Sequence, residues 1–120
     1  MGPVNWLAVV AAALAALAFG AGVQGAAART ARQLVLAGAL LLLTSAMMGH
    51  MFARVGAATL AVKPWLYFMM SGGLALAFVA PALAMGEARG GASAVKVLRG
   101  AAFWIVSYLV MGTVFWLFKA

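Results

Sequence analysis

The residue best suited to chemistry in this sequence is His50, the only histidine, and methionines lie on both sides of it. Met47 and Met51 are four residues apart, so in a helix their thioethers share a face and lie near the His50 ring. Thioether groups are soft ligands of the kind that select Cu(I). The spacing therefore predicts a Cu(I) site at Met47, His50 and Met51. The alternative is that these methionines only fill gaps between helices.

The same segment supports a second cofactor hypothesis. In the run Ala46-Met47-Met48-Gly49-His50, a small residue precedes the histidine by one helical turn. This resembles the helix motif of light-harvesting polypeptides, in which the small residue leaves room for a bacteriochlorophyll ring. A single neutral imidazole can equally hold a haem. Tetrapyrrole binding at His50 is thus open beside Cu(I), although nothing in the sequence requires a cofactor.

Groups for acid–base or nucleophilic catalysis are scarce, because the chain has one acid, Glu87, and no cysteine. General acid–base catalysis needs a positioned pair of titratable groups. Ser45 is five residues from His50, so the two point in different directions on a helix. The run Ser71-Gly72-Gly73 is more typical of helix packing than of a nucleophile turn. We expect that the protein is not an enzyme.

Transport is the main alternative function, since small multidrug exporters and dual-topology fluoride channels also have four helices and work as oligomers. The exporters exchange protons through a membrane-embedded glutamate in their first helix, and the first apolar stretch here has no acid. Glu87 follows the third stretch, where we expect it to be solvated or paired with Arg89. The phenylalanine and threonine motif of the channels is not found.

Four apolar stretches must position these residues. The chain is 68% hydrophobic and 8% charged, with a mean hydropathy of +1.15, far from the composition of soluble domains. A membrane helix needs about 20 mostly apolar residues. We therefore predict an all-α integral membrane protein, an antiparallel up-down bundle of four transmembrane helices forming one domain over residues 1–120. The predicted spans are 5–24, 33–52, 64–85 and 98–118, and Pro81 should kink the third.

The basic residues predict which way the helices face. Five lie in the first and third loops and three at the other ends of the spans; the five are Arg29, Arg32, Arg89, Lys96 and Arg99. The positive-inside rule makes loops 25–32 and 86–97 cytoplasmic and both termini periplasmic, in a bacterial inner membrane. Trp6, Trp65 and Trp116 then share one interface, as an aromatic belt would. Topogenesis and lipid headgroups account for the net charge of +7, so no nucleic-acid partner is expected.

Small residues indicate where the helices pack, because helices in lipid approach closely only where side chains are short. The first span carries such residues every four positions, at Ala8, Ala12, Ala16 and Gly20. The third carries Gly73 and Ala77, in line with Pro81. We predict that these positions form helix–helix contacts.

Three segments suggest a family. They are Asn5-Trp6-Leu7-Ala8-Val9-Val10-Ala11-Ala12, Tyr67-Phe68-Met69-Met70-Ser71-Gly72-Gly73-Leu74-Ala75-Leu76 and Tyr108-Leu109-Val110-Met111-Gly112-Thr113-Val114-Phe115-Trp116. Together they resemble the bacterial domain of unknown function family numbered 1761, whose members are small four-helix membrane proteins. The resemblance implies this architecture and no activity.

With few reactive groups and short loops, the chain offers mainly helix faces. We predict an accessory or interaction subunit of a larger membrane complex, without catalysis of its own. Its partners would be membrane lipid and either another membrane protein or a second copy. A transporter or channel is the first alternative, and pigment, haem or copper binding through His50 is the second.

Overall fold

Long apolar runs form the membrane-spanning helices of this protein. A computed structural model of the chain describes residues 3–24 and 30–118. Within these ranges, four helices are long and apolar enough to cross a bilayer, which confirms the predicted all-α architecture. The helices are α1 (Trp6–Gln24), α2 (Ala31–Val55), the short α3 (Ala57–Val62), α4 (Leu66–Arg89) and α5 (Ala94–Leu117).

Side-chain caps fix where two of these helices begin. The Thr30 hydroxyl accepts from the Gln33 backbone N–H at 3.2 Å, and the Gln33 side chain accepts from the Thr30 N–H at 3.1 Å, which completes a capping box for α2. The Ser93 hydroxyl accepts from the Lys96 N–H at 3.2 Å. α5 therefore begins at Ala94 rather than at the predicted residue 98.

The helix α4 adapts to Pro81 by widening. After an α-helical turn at Leu66–Phe68, the backbone is π-helical over Met69–Gly73 and Ala75–Val79, and α-helical from Ala80 to Arg89. Proline removes a backbone donor and crowds the carbonyl four residues earlier. The second π-helical turn ends at Val79, two residues before this proline, and the α-helix resumes at Ala80, while the expected kink stays a prediction.

The four long helices form an antiparallel row. α1 packs between α2 and α5, and α5 packs in turn against α4. The Cα atoms extend over 46 × 29 × 18 Å, so the bundle is flattened in one direction. α2 meets α4 near one end, where the ring centroids of Phe52 and Tyr67 are 5.0 Å apart.

The two ends of the row differ in packing. We call the end with Trp6, His50, Tyr67 and Trp116 the aromatic end, and the end with Arg32 and Arg99 the basic end. The largest fully buried apolar side chains gather in the half towards the aromatic end; they are Val9, Phe52, Leu60, Met111 and Phe115. In contrast, residues 31–40 of α2 and 94–106 of α5 include no buried side chain. The helices are thus tightly packed at the aromatic end and open towards the basic end.

Glycines and serines allow the close contacts. The buried Ser45 hydroxyl donates to the Val9 carbonyl at 2.7 Å and links α2 to α1. Between α4 and α5, a Cβ added at Gly112 would lie 2.8 Å from the Tyr67 carbonyl oxygen and closer still to the Ser71 hydroxyl. The two helices therefore approach here to a distance that only glycine permits.

The predicted packing residues divide into two groups. Ala8, Ala12, Ala16 and Gly20 are all buried, in the helix that lies between α2 and α5. On α4, however, Gly73 is half-buried and Ala77 is exposed. The buried small residues of α4 are Ser71, Gly72, Ala75 and Ala80 instead, since the π-helical turns change which positions share a face.

Candidate functional site

His50 lies on an exposed part of α2 at the aromatic end. Its Nδ1 atom is 2.7 Å from the Ala46 carbonyl oxygen. Because a carbonyl can only accept, Nδ1 carries the proton and donates, which leaves the lone pair on Nε2. The Trp6 ring packs against the imidazole at a centroid distance of 5.6 Å and an interplanar angle of 80°. The ring is thus held in one orientation with Nε2 able to accept a hydrogen bond or bind a metal.

The methionines around His50 do not all share its surface. Met47 is 61% exposed and Met51 is half-buried, whereas Met48 is buried in the core. Met69 at the start of α4 is exposed, and Met70 packs against the core. Met47 and Met51 are therefore at least partly exposed on α2, as His50 is, whereas Met48 serves packing, and a shared metal site stays a prediction.

A cleft of about 420 Å³ opens between α1, α2 and α5 in the half of the protein that the core does not fill. Its α2 wall includes Leu36, Leu40 and Leu41, and its α5 wall includes Phe103 and Trp104. Leu36 is 59% exposed and Leu40 is 55% exposed, so the cleft opens sideways, towards the surrounding bilayer. We call it the lateral cleft.

Stacked rings stiffen the α5 wall of the lateral cleft. Phe19 of α1 and Phe103 stack at 5.6 Å with an interplanar angle of 14°. Trp104 meets the Phe103 ring edge-on at 5.4 Å. These contacts tie α1 to α5, and because α1 also packs against α2, the opening of the cleft lies between α2 and α5.

Three polar residues line the otherwise apolar cleft: Gln33, Thr44 and Ser107. The Ser107 hydroxyl donates to the Phe103 carbonyl at 2.8 Å within its own helix. The side-chain oxygen of Gln33 is taken by the Thr30 N–H, which leaves the side-chain NH₂ group as a donor at the basic end. The cleft therefore has an apolar interior with hydrogen-bonding groups at its mouth and along its length.

Glu87 is the only acid in the chain and lies near this end, against α5. A Cβ at Gly100 would lie 3.0 Å from its Oε1, so the glycine makes room for the carboxylate. Its Oε2 is buried without a hydrogen-bond partner among residues 3–24 and 30–118. In the same part of the chain it forms no ion pair, so the expected pairing with Arg89 is not seen.

Comparisons with known proteins give no further guide. No family model, curated protein or solved structure matches this chain. The resemblance described above stays a prediction.

The lateral cleft was not predicted from the sequence. Thr44 and Ser107 interrupt strongly apolar spans, and they are the signal that could have pointed to it. Hydropathy alone does not predict that α2 and α5 stand apart. Side chains that face a cleft and side chains that face lipid are both apolar, so they give the same hydropathy.

Proposed function

We propose that this protein is an accessory or interaction subunit of a larger complex in the bacterial inner membrane, with no catalysis of its own. The observation that supports the proposal is an exposed strip on α1, here called the α1 strip. Its members share one helix face and are Leu7, Val10, Leu14, Ala18 and Gly22. α1 lies inside the helix row, yet neither α2 nor α5 covers this strip.

The α1 strip changes from large to small side chains towards the basic end. Exposed positions of α2 carry large apolar residues such as Leu36 and Leu43, as lipid contact favours. A Cβ built at Gly22 would meet no atom of residues 3–24 and 30–118 within 4 Å, so no helix in these ranges uses the space beside it. Small residues in membrane helices permit close backbone approach. The strip is thus suited to a transmembrane helix of another protein.

A glycine substitution tests this proposal without disturbing the fold. Gly22→Leu adds a side chain where the protein itself has room, and leucine favours helix more than glycine does. We expect the variant to fold and to lose its partner. Gly86→Leu is the matched control, since Gly86 is exposed on α4 and its Cβ would also meet nothing within 4 Å.

The measurement is gentle purification from native membranes followed by native mass spectrometry. Wild type and Gly86→Leu should be detected in complex with a protein of different mass. Gly22→Leu should be detected without that partner. A complex containing only copies of this chain would contradict an accessory role. So would a monodisperse preparation that is alone and active in solute flux, which would favour the transport alternative.

Tetrapyrrole or Cu(I) binding at His50 is a second candidate function. The hydrogen bond from Nδ1 to the Ala46 carbonyl supports it, because fixing one ring nitrogen in this way orients the other for ligation. The visible spectrum of the purified protein and its copper content test it. If the intact membrane complex is purified and is colourless and free of copper, both ligands are excluded.

A further inference from the structure

The lateral cleft is an apolar space that the side chains of residues 3–24 and 30–118 do not fill. Its walls include Leu36, Leu40 and Phe103. Apolar walls without partner atoms lose dispersion contacts. The cleft opens towards the bilayer, where acyl chains are the most abundant apolar groups. A flexible chain that enters from the side would restore these contacts.

The length of the cleft matches one leaflet. On α2 it extends from Gln33 to Thr44, and 11 residues of α-helix rise roughly 16 Å. The hydrocarbon core of a bilayer is about 30 Å thick. An acyl chain of one leaflet therefore spans the cleft from its mouth to its inner end.

The mouth of the cleft is basic. Arg32 lies one helical turn before the cleft residue Leu36, and Arg99 lies one turn before the cleft residue Phe103. Both arginines are exposed, as is Lys96, which precedes Arg99 by three residues. The side-chain NH₂ group of Gln33 adds a neutral donor. Glu87, which lies against Gly100, is the one negative charge near this mouth among the described residues, so the described charges there sum to a positive value. Arginine is well suited to binding phosphate.

We propose that the lateral cleft binds an anionic glycerophospholipid of the leaflet at the basic end. One acyl chain lies along the α2 and α5 walls, and the phosphate lies between Arg32 and Arg99. The site is separate from the α1 strip, because its α1 wall is formed by Ala16, Leu17 and Gly20. It therefore stands whether or not the protein has the partner proposed above.

Trp104 provides the readout, since it lines the cleft. The chain has four tryptophans, and phenylalanine at Trp6, Trp65 and Trp116 leaves Trp104 as the only one. The full-length variant is reconstituted into phosphatidylcholine bilayers with increasing fractions of phosphatidylglycerol. In one series the phosphatidylglycerol carries bromine on its acyl chains. In the other series brominated phosphatidylcholine takes the place of the brominated phosphatidylglycerol. Brominated phosphatidylglycerol should quench Trp104 at a clearly lower fraction.

Charge variants separate this site from general attraction of anionic lipid. Arg32→Gln with Arg99→Gln should raise the phosphatidylglycerol fraction needed for half-quenching by about fivefold for each charge, or about thirtyfold together. Arg54→Gln with Lys63→Gln removes the same charge at the opposite end and should leave it unchanged. Equal quenching by the two brominated lipids in the parent protein, or equal effects of the two charge pairs, would overturn the proposal.

A filling variant tests the cleft itself. Ala37 lines the cleft and is only half-buried, so Ala37→Phe places a ring in the space with its arginines intact. The preference for phosphatidylglycerol should fall to that of the double arginine variant. The variant's helix content is compared with the parent's by circular dichroism. If the two are equal and the preference for phosphatidylglycerol is unchanged, the charges act without the cleft. If Ala37→Phe does not fold, Thr44→Leu tests the inner end in the same way.

Discussion

Gly112→Ala tests the packing of α4 against α5 most directly. The added Cβ would lie 2.8 Å from the Tyr67 carbonyl oxygen, which is 0.6 Å inside the 3.4 Å at which ordinary contact begins. It would lie closer still to the Ser71 hydroxyl. A change of rotamer moves the Ser71 hydroxyl, but the Ser71 Cβ, at 2.7 Å, and the Tyr67 carbonyl move only with the backbone. The two helices must therefore move apart to accept one methyl group.

The expected magnitude follows from two opposing effects. Overpacking a tight contact costs typically ~1–3 kcal/mol. Replacing glycine by alanine inside a helix gains up to ~1 kcal/mol. Subtracting the gain from the cost leaves a net loss of up to about 2 kcal/mol in the free energy of unfolding. Gly86→Ala is the matched control, because its Cβ meets nothing within 4 Å and only the helix-propensity gain remains.

The assay is reversible unfolding of the purified protein in mixed micelles, followed by far-ultraviolet circular dichroism. Gly112→Ala should lower the midpoint and Gly86→Ala should raise it or leave it unchanged. Adding Ser71→Gly to Gly112→Ala should recover only part of the loss, since the Tyr67 carbonyl remains. A Gly112→Ala protein as stable as Gly86→Ala would refute the close approach of α4 and α5.

Three further outcomes are expected. Ser45→Ala removes the interhelical bond to the Val9 carbonyl and should cost about 0.6–1.7 kcal/mol in micelle unfolding, more than Ser107→Ala, whose bond lies within one helix; equal costs would contradict a linking role. Phe52→Ala removes two ring contacts, at 5.0 and 5.1 Å, and should cost about 1–3 kcal/mol in the same assay, whereas a cost near zero would refute a packed aromatic end. For orientation, we expect an impermeant maleimide to label Ala58→Cys in spheroplasts and Ala94→Cys only after lysis, because the more basic loops face the cytoplasm; the reverse pattern would invert the topology.

Hydropathy predicts the spans well and their ends less well. The first span was expected at 5–24 and is Trp6–Gln24. The third was expected to end at residue 85, but α4 continues to Arg89. A hydropathy window stops where charges begin, whereas a helix continues as long as its backbone is hydrogen-bonded and its charged side chains reach the interface. The Ser93 cap, in turn, starts α5 before its apolar run.

Side-chain placement was predictable only where the helix is regular. The four-residue spacing on α1 puts Ala8, Ala12 and Ala16 on one buried face, since α1 is α-helical throughout. The same spacing on α4 does not bury Ala77, because π-helical turns shift the register. The lateral cleft depends on how far α2 stands from α5, and this separation is set by contacts between distant parts of the chain.

The position of α1 between α2 and α5 has a consequence for synthesis in the cell. α1 is made before α5, and 93 residues separate Gln24 from Leu117. At about 5–20 residues per second, α1 waits roughly 5–20 s for one of its two neighbours. During this interval the small residues Ala8, Ala12 and Ala16 of α1 can be covered on one side only, by α2. The nascent chain therefore presents these residues to lipid or to the insertion machinery until α5 arrives.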